Sequence, residues 1–297
     1  MKPLRPTTIE ERIGGPVLPG YDDLPQKVER AIALLRQHES KALELSPDGY
    51  HLAFSGGKDS CVIKELARMA GVVFEARYNQ TTIDPPELVR FIKLHHLDVQ
   101  WDRPGRNFFK AMAESNGLPA RLIRWCCEEY KERHGANRIK VFGVRAAESH
   151  NRKKAWKEIT PWRNSTQKGY AVCPIVAWSD ENVWRFIYER RLPFCDLYNE
   201  GWKRLGCVGC PMAGGGRRAE FLRWPGFEKA WRTGCRKYFD RRKGRLNRYG
   251  KPYYLERFAN SDEMFDWWMS DNPTPADIKN EENECLGLFD AMDGTED

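Results

Sequence analysis

Residues 50–60 read YHLAFSGGKDS, a run with strand character from Tyr50 to Phe54 that is broken at once by SGGKDS. From Asp59 to about Met69 the apolar residues recur at helical spacing, so the stretch predicts a strand, a tight loop and a helix in direct succession. Two glycines in such a loop let backbone amides approach a phosphate closely, and the helix N-terminus behind them adds partial positive charge. Lys58 adds a full charge, and Ser55 and Ser60 offer hydroxyl donors. Asp59 is placed either to cap the helix or to help hold a magnesium-bound pyrophosphate. Ser55, Gly56, Gly57, Lys58, Asp59 and Ser60 are therefore the first candidate binding residues. The plainer reading is an ordinary glycine-rich turn; the complete hexapeptide between strand and helix argues against it.

On the N-terminal side of this run, the first twenty residues read as an irregular arm. Leu24, Val28, Ala31, Ile32 and Leu35 then predict an amphipathic helix over Leu24 to Gln37, and Asp48 and Gly49 mark a turn after it. Downstream, Val72 to Arg77, Asp98 to Trp101 and Ile139 to Arg145 read as strands, with helical patterns such as Pro86 to His95 between them. That alternation predicts an α/β fold with a parallel sheet flanked by helices. Beyond about Gly201 the rhythm breaks. Three regions are expected: an N-terminal arm and helix over 1–45, a nucleotide-binding domain over 46–200, and a C-terminal subdomain over 201–297. There is no internal repeat and no long low-complexity tract.

The N-terminus has no apolar export segment, and the chain has no run of eighteen apolar residues, so a cytoplasmic protein with no membrane partner is expected. Nine cysteines in that setting are expected to be reduced, which points clustered ones toward a metal or catalysis. Cys126 and Cys127 sit in RWCCEEYKE, and Cys207 and Cys210 sit in GCVGCP, with 79 residues between the pairs. A CxxC turn lets two thiolates face one metal, and its glycines give the backbone room to curl. Buried apolar cysteines are the plainer alternative. Four thiolates suit Zn2+ as well as a 4Fe-4S cluster, and ligand type alone does not separate them.

SGGKDS resembles the PP-loop of ATP pyrophosphatases, the adenine-nucleotide α-hydrolase group with a Rossmann-like, HUP-type sheet. The resemblance implies ATP and Mg2+ as cofactors, cleavage between the α and β phosphates, and adenylation of a substrate oxygen. The spacing of a CC pair, roughly eighty residues and CxxC is similar to the cluster-binding pattern of adenylyl-sulfate reductases, which favours 4Fe-4S over zinc. VFGVRAAES, Val141 to Ser149, resembles a GxRxxES segment that the phosphoadenosine phosphosulfate (PAPS) reductase family places near its nucleotide. PIVAWSDENVWRFI resembles a further stretch of that family, so about residues 48 to 215 are covered. The resemblance implies that Arg145 contacts an anionic group, which suits a guanidinium fork, and that Ser149 lies near the nucleotide.

The pattern also departs from that family. Sulfonucleotide reductases carry a catalytic cysteine in ECGLH or ECGIH near the C-terminus, whereas this chain offers ECLGLF, Glu284 to Phe289. Cys285 is thus the candidate nucleophile of a reductase using thioredoxin, but the histidine is missing and neighbouring carboxylates would blunt the thiolate. The intact loop instead resembles ATP-cleaving members, including tRNA thiolases and the ATP-cleaving component of DNA phosphorothioation systems. Those imply sulfur transfer onto nucleic acid, with a donor such as a cysteine desulfurase. The net charge of +7 is concentrated in Arg217 to Lys251, where thirteen Lys or Arg face three Asp or Glu. Interleaved Trp, Tyr and Phe there could stack on bases, or Phe221, Trp224, Phe227 and Trp231 could form a core stripe. Residues 281–297 form an acidic tail. Three functions fit these features: adenylation with sulfur transfer, sulfonucleotide reduction, and nucleotide-sensing binding of nucleic acid with a structural cluster.

Overall fold

The computed structural model describes residues 5–15, 23–121, 123–163, 168–213, 216–246, 250 and 252–270. Cys285, its ECLGLF segment and the acidic tail lie outside the described residues. In chain order the first elements are α1 (Ile9–Ile13), α2 (Leu24–Gln37), α3 (Glu39–Leu45), β1 (Tyr50–Ala53), α4 (Lys58–Ala70), β2 (Phe74–Asn79), α5 (Pro86–His95) and β3 (Gln100–Asp102). After them come α6 (Phe108–Ala111), α7 (Trp125–Lys131), β4 (Lys140–Val141), α8 (His150–Ala155), β5 (Ile159–Arg163), β6 (Lys168–Val172) and α9 (Asp180–Glu189). The last three helices are α10 (Gly216–Arg223), α11 (Pro225–Arg242) and α12 (Ser261–Trp268). They form two compact units. Unit 1 comprises Met1–Gln80, Asp84–Pro104 and Tyr130–Gly206; unit 2 comprises Thr81–Ile83, Gly105–Glu129 and Cys207–Asp297.

Unit 1 is built on a six-stranded sheet in the order β3-β2-β1-β4-β6-β5. All its pairings are parallel except β5 with β6, which is antiparallel. This is the expected α/β sheet, extended by β6 and the antiparallel edge strand β5. Tyr50 and Leu52 of β1 are fully buried at its centre, and the Tyr50 hydroxyl donates to the Leu35 carbonyl of α2 at 2.6 Å. The chain passes from β1 through β2 to β3 on one side, then crosses to β4 on the other. The carboxyl edge of β1 and β4 is therefore the topological switch point, where open α/β sheets receive ligands.

Two sequence expectations change here. The strand read over Ile139 to Arg145 pairs only at Lys140–Val141, because Gly143 leaves the ladder to pack on Asp59, whose carbonyl carbon and oxygen would lie 3.1 Å from any added Cβ. The arm also contains α1, closed by a capping box between Thr8 and Glu11, with Arg12 buried and bonded to the Tyr198 carbonyl at 2.7 Å.

Unit 2 has an aromatic core instead of a sheet. Trp231 of α11 is fully buried and stacks on Trp268 of α12 at 4.6 Å, while Phe108 of α6 meets Trp231 at 4.8 Å. The Trp268 indole N–H donates to the Pro119 carbonyl at 2.7 Å, which satisfies its one polar atom. Phe221, Trp224 and Trp231 are buried, so the core-stripe reading holds for them and they are not free to stack on bases. Among the described residues no helix is long and apolar enough to cross a membrane.

Candidate functional site

The SGGKDS loop joins β1 to α4 at the switch point. Gly56 takes φ +74°, and a Cβ there would come within 2.8 Å of Leu88 and Ile92, so glycine is required by conformation and by packing. Gly57 is different: its φ of −74° suits any residue, and a Cβ would meet Ser55 Oγ and the Tyr198 hydroxyl no closer than 3.4 Å. The Ser60 hydroxyl donates to the Gly57 carbonyl at 2.8 Å, and Ser55 Oγ lies 3.4 Å from Ser60 Oγ, so both hydroxyls brace the loop.

Asp59 does not cap α4. Gly57 is the N-cap and makes no side-chain cap. The Asp59 carboxylate instead accepts from Arg145 Nε at 2.5 Å and lies 3.6 Å from Lys58 Nζ. Asp180, the first residue of α9, joins both cations: its Oδ1 lies 2.8 Å from an Arg145 terminal nitrogen and 3.1 Å from Lys58 Nζ. Lys58 and Arg145 are only 4% and 3% exposed, and buried cations are tolerated when paired and hydrogen-bonded. Two cations and two carboxylates thus form one balanced network at the carboxyl edge of the sheet. Both carboxylates present hard oxygen donors of the kind magnesium takes, and their charge is already met by the protein, so a metal would arrive with the charge of its own phosphates.

Two side chains completing this site were missed from sequence. Asp180 stood in the quoted PIVAWSDENVWRFI stretch, where a carboxylate at a helix start reads as a dipole partner. Tyr198 left no signal: its buried hydroxyl accepts the Lys58 backbone N–H at 2.9 Å, and burial pushes its pKa well up. By helix geometry the N–H groups of Asp59 and Ser60 remain without intrahelical acceptors. In the GxRxxES segment, Glu148 accepts from the Arg145 backbone N–H at 3.2 Å. Ser149 is exposed and caps α8, accepting from the Arg152 N–H at 3.2 Å; it makes no contact with the Lys58 network among the described residues.

In unit 2 the four candidate thiols separate from the rest. Cys126, Cys127, Cys207 and Cys210 are half-buried, while Cys61, Cys173, Cys195 and Cys235 are buried. Burial pushes Cys61, Cys173 and Cys235 up to about 12 and Cys195 up to about 11, which makes them inert apolar side chains. The Cys126 thiol is also raised, but chiefly by its hydrogen bond with Cys127, then by burial and by the nearby Cys127, Cys207 and Cys210. The two distant pairs therefore share one electrostatic environment.

The CxxC loop is held rigidly. Val208 donates to the Ile83 carbonyl at 2.8 Å and accepts from the Trp231 indole at 3.0 Å. The Gly209 N–H donates to Glu220 at 2.7 Å, and burial raises the pKa of that carboxyl. Gly209 takes φ +81°, where a Cβ would lie 2.6 Å from Trp231 Nε1. Among the described residues no three His, Cys, Asp or Glu side chains are gathered to hold a metal ion. The soft sulfur donors fit a thiolate-bound centre in chemical kind.

Several known proteins are similar to this chain. An uncharacterized protein of Methanocaldococcus jannaschii is 29% identical over 250 residues, covering 74% of this chain and 51% of that protein. A second from the same organism is 30% identical over 185 residues, 58% of this chain and 43% of its own length. The chain thus spans about half the length of these first relatives. The adenosine 5'-phosphosulfate reductase of Allochromatium vinosum is 27% identical over 210 residues, 65% of this chain and 77% of that enzyme. Among solved structures, a phosphoadenylyl-sulfate reductase from Candida auris aligns with TM-score 0.45 and 15% identity, covering 65% of this chain and 98% of that one. The FMN adenylyltransferase of Candida glabrata aligns with TM-score 0.45 and 18% identity, covering 65% and 67%. The phosphoadenosine phosphosulfate reductase domain matches residues 49–213, a span that runs from the start of β1 to just past the CxxC loop. With more than half its length in that match, the chain belongs to the phosphoadenosine phosphosulfate reductase domain family.

Proposed function

We propose that this chain is an ATP-dependent, pyrophosphate-releasing enzyme that couples adenylation to sulfur transfer, with a nucleic acid as acceptor. The observation that carries the reading is the convergence of Lys58, Asp59, Arg145 and Asp180 on an intact SGGKDS loop. The free N–H groups at the start of α4 bind phosphate oxygens, and Lys58 neutralises charge that grows on the departing pyrophosphate. Asp59 and Asp180 offer oxygens to the magnesium that accompanies ATP. Arg145 holds both carboxylates in place and prevents their mutual repulsion. An acceptor oxygen attacks the α-phosphorus, its bond to the bridging oxygen breaks, and the oxygen is left adenylated for displacement by sulfur.

Cys126, Cys127, Cys207 and Cys210 would hold a 4Fe-4S cluster, with Zn2+ as the rival occupant. A bound cluster would either relay sulfur or tune the local electrostatics. The protein's own part is to fix the CxxC turn through Glu220 and Trp231. A cysteine desulfurase is the class of donor such a reaction needs. The test is to incubate anaerobically purified protein with ATP and candidate nucleic acids, then measure pyrophosphate and analyse the products by mass spectrometry. Formation of ADP and inorganic phosphate would overturn the reading.

A second reading is favoured by the relatives named adenosine 5'-phosphosulfate reductase. There Cys285 would attack the sulfur of adenylyl or phosphoadenylyl sulfate, and thioredoxin would reduce the product. Sulfite release from adenylyl sulfate with thioredoxin, lost in Cys285→Ser, selects it over the first.

A further inference from the structure

Unit 2 contains a cavity of about 770 Å³ between α11 and the segment that begins at α6. On α11, Lys229, Lys237 and Arg241 line it at multiples of four residues, which puts them on one face of the helix. Gly226 and Ala230 follow in the adjacent row and leave that end of the groove without bulky side chains, whereas Gly234, one step on, is buried under Met112, whose Cε would lie 2.3 Å from an added Cβ. The facing wall adds Lys110 and Glu114, and that carboxylate lies 3.9 Å from both Lys110 and Arg106. Lys229, Lys237 and Arg241 are exposed and have no ion-pair partner among the described residues. The groove is strongly cationic.

Other cations of the basic segment are committed to the fold. Arg242 donates to the Glu114 carbonyl at 2.9 Å and stacks on Tyr238, Lys243 bonds the Phe258 carbonyl, and buried Arg217 donates to the Trp268 carbonyl at 2.9 Å. On α11, Trp231, Tyr238 and Phe239 are buried. Phe109 is the exception near the groove: it is half-buried, packs its ring against Trp231 at 5.7 Å and 87°, and leaves its remaining surface lining the cavity.

We propose that this groove binds single-stranded nucleic acid, with Lys229, Lys237 and Arg241 along its phosphates and Phe109 against a base. The proposal rests on the nucleic-acid acceptor argued above and says where that acceptor is held. One helical step of four residues rises about 6 Å, close to the separation of neighbouring phosphates along a single strand. Gly226, where an added Cβ would meet nothing within 4 Å, leaves room for a strand beside the helix, and an aromatic platform beside a cationic rail is the general arrangement for sequence-tolerant single-strand binding.

The test is fluorescence anisotropy with a fluorescein-labelled oligothymidylate across a salt series. Lys229→Gln/Lys237→Gln/Arg241→Gln changes only exposed side chains, and an unchanged Tm verifies its fold. It is expected to flatten the slope of log affinity against log salt by about 2, since each contact to a single strand contributes roughly 0.7. The control Lys153→Gln/Lys154→Gln, on exposed positions of α8, is expected to leave the slope unchanged. Phe109→Leu is expected to weaken oligothymidylate binding roughly fivefold or more while leaving an abasic strand unaffected. If the wild type binds no oligonucleotide, the acceptor reading falls and takes the groove with it. If it binds and the triple variant keeps its slope, or the α8 control loses as much per charge, the groove alone is overturned. Equal affinity and equal slope loss with duplex DNA would also overturn the single-strand assignment.

Discussion

The two units build their candidate sites by opposite means. Unit 1 gathers hard charges, Lys58 and Asp59 at the start of α4, Asp180 at the start of α9 and Arg145 in the segment after β4, and balances them with one another. Unit 2 carries its soft thiols on a short helix and a loop, and fixes the loop through backbone bonds to Glu220, Ile83 and Trp231. The first site is therefore assembled by the sheet and its charges without help. The proposed second site would need an added cation before its thiols could be ionised together, because each thiolate would repel the others.

The strongest consequence of that separation lies in the chemistry. Lys58→Ala removes the cation from the loop and is expected to lower pyrophosphate release by about 10²- to 10³-fold, the usual loss when one stabilising donor is deleted. Its iron content should equal that of the wild type. Cys126→Ser should lose iron by elemental analysis, and Cys61→Ser should keep it, because Cys61 is buried in unit 1 beside His96 at 3.7 Å. If Lys58→Ala loses iron as well, the two sites are not chemically independent and the contrast between them fails.

Acid stability also separates the units. All six histidines lie in unit 1. Burial, reinforced by Lys140, Arg138 and Arg77 against the opposing pull of Asp102, pushes His51 down to about 3. Burial, with Lys64 nearby, takes His96 down to about 4. A folded pKa below the unfolded value means that the unfolded chain binds more protons between the two. Stability is therefore full above about 6.5 and is lost as pH falls toward 4 and then 3. Each tenfold difference in proton affinity between the folded and unfolded chain is worth about 1.4 kcal/mol, so the pair is expected to cost several kcal/mol at pH 4. Calorimetric Tm values for wild type and His51→Gln check this: the variant should lose less Tm between pH 7 and pH 4. An equal loss in both would place the acid sensitivity elsewhere.

How far each site could be read from sequence follows from the same contrast. SGGKDS is contiguous, so one local element carries its residues and its geometry, and helix Leu24–Gln37 was legible because one face repeats cleanly. Asp180 and Tyr198 reach the loop through the fold, across gaps of 121 and 140 residues from Asp59 and Lys58, and no local pattern announces them. The cysteine spacing named the thiols without naming what holds them; Glu220 and Trp231 are ordinary helix residues until Gly209 turns toward them. β5 and β6 were not among the expected strands, and their Arg, Lys and Pro content gives little strand signal. Nor did the basic segment distinguish cations that bond carbonyls from those that stay exposed.

Glycines divide the two units more finely. Gly209→Ala in unit 2 forces a left-handed φ of +81° on alanine and drives Cβ to 2.6 Å from Trp231 Nε1. A loss of about 1–3 kcal/mol is expected from overpacking, together with lower iron occupancy. Gly57→Ala in unit 1 meets neither obstacle, and its stability should stay within about 0.5 kcal/mol of wild type. Its pyrophosphate release should fall all the same, because the new methyl adds bulk to the loop proposed to receive the phosphate. Urea unfolding beside the activity assay checks both. A Gly57→Ala protein that is stable and fully active would remove the loop from the phosphate site.

The weakest consequence divides the charged centre of unit 1 from its periphery. Ser149 lies four residues after Arg145 and shares its sequence segment, yet its hydroxyl accepts the Arg152 N–H at 3.2 Å as the N-cap of α8. Removing such a cap costs about 0.5–2 kcal/mol, and α8 has only six residues to lose, so the lower end of that range is expected for Ser149→Ala. Pyrophosphate release by this variant, measured at saturating ATP and well below the unfolding temperature, should match the wild type. Glu148→Gln is the informative companion, because Glu148 accepts the Arg145 backbone N–H at 3.2 Å and stands one bond closer to the network. If Ser149→Ala loses tenfold or more of its activity without a matching fall in stability, the hydroxyl touches the nucleotide and the site extends to α8. If only Glu148→Gln loses activity, the site ends at Arg145, and the serine of the GxRxxES segment serves the helix that follows it.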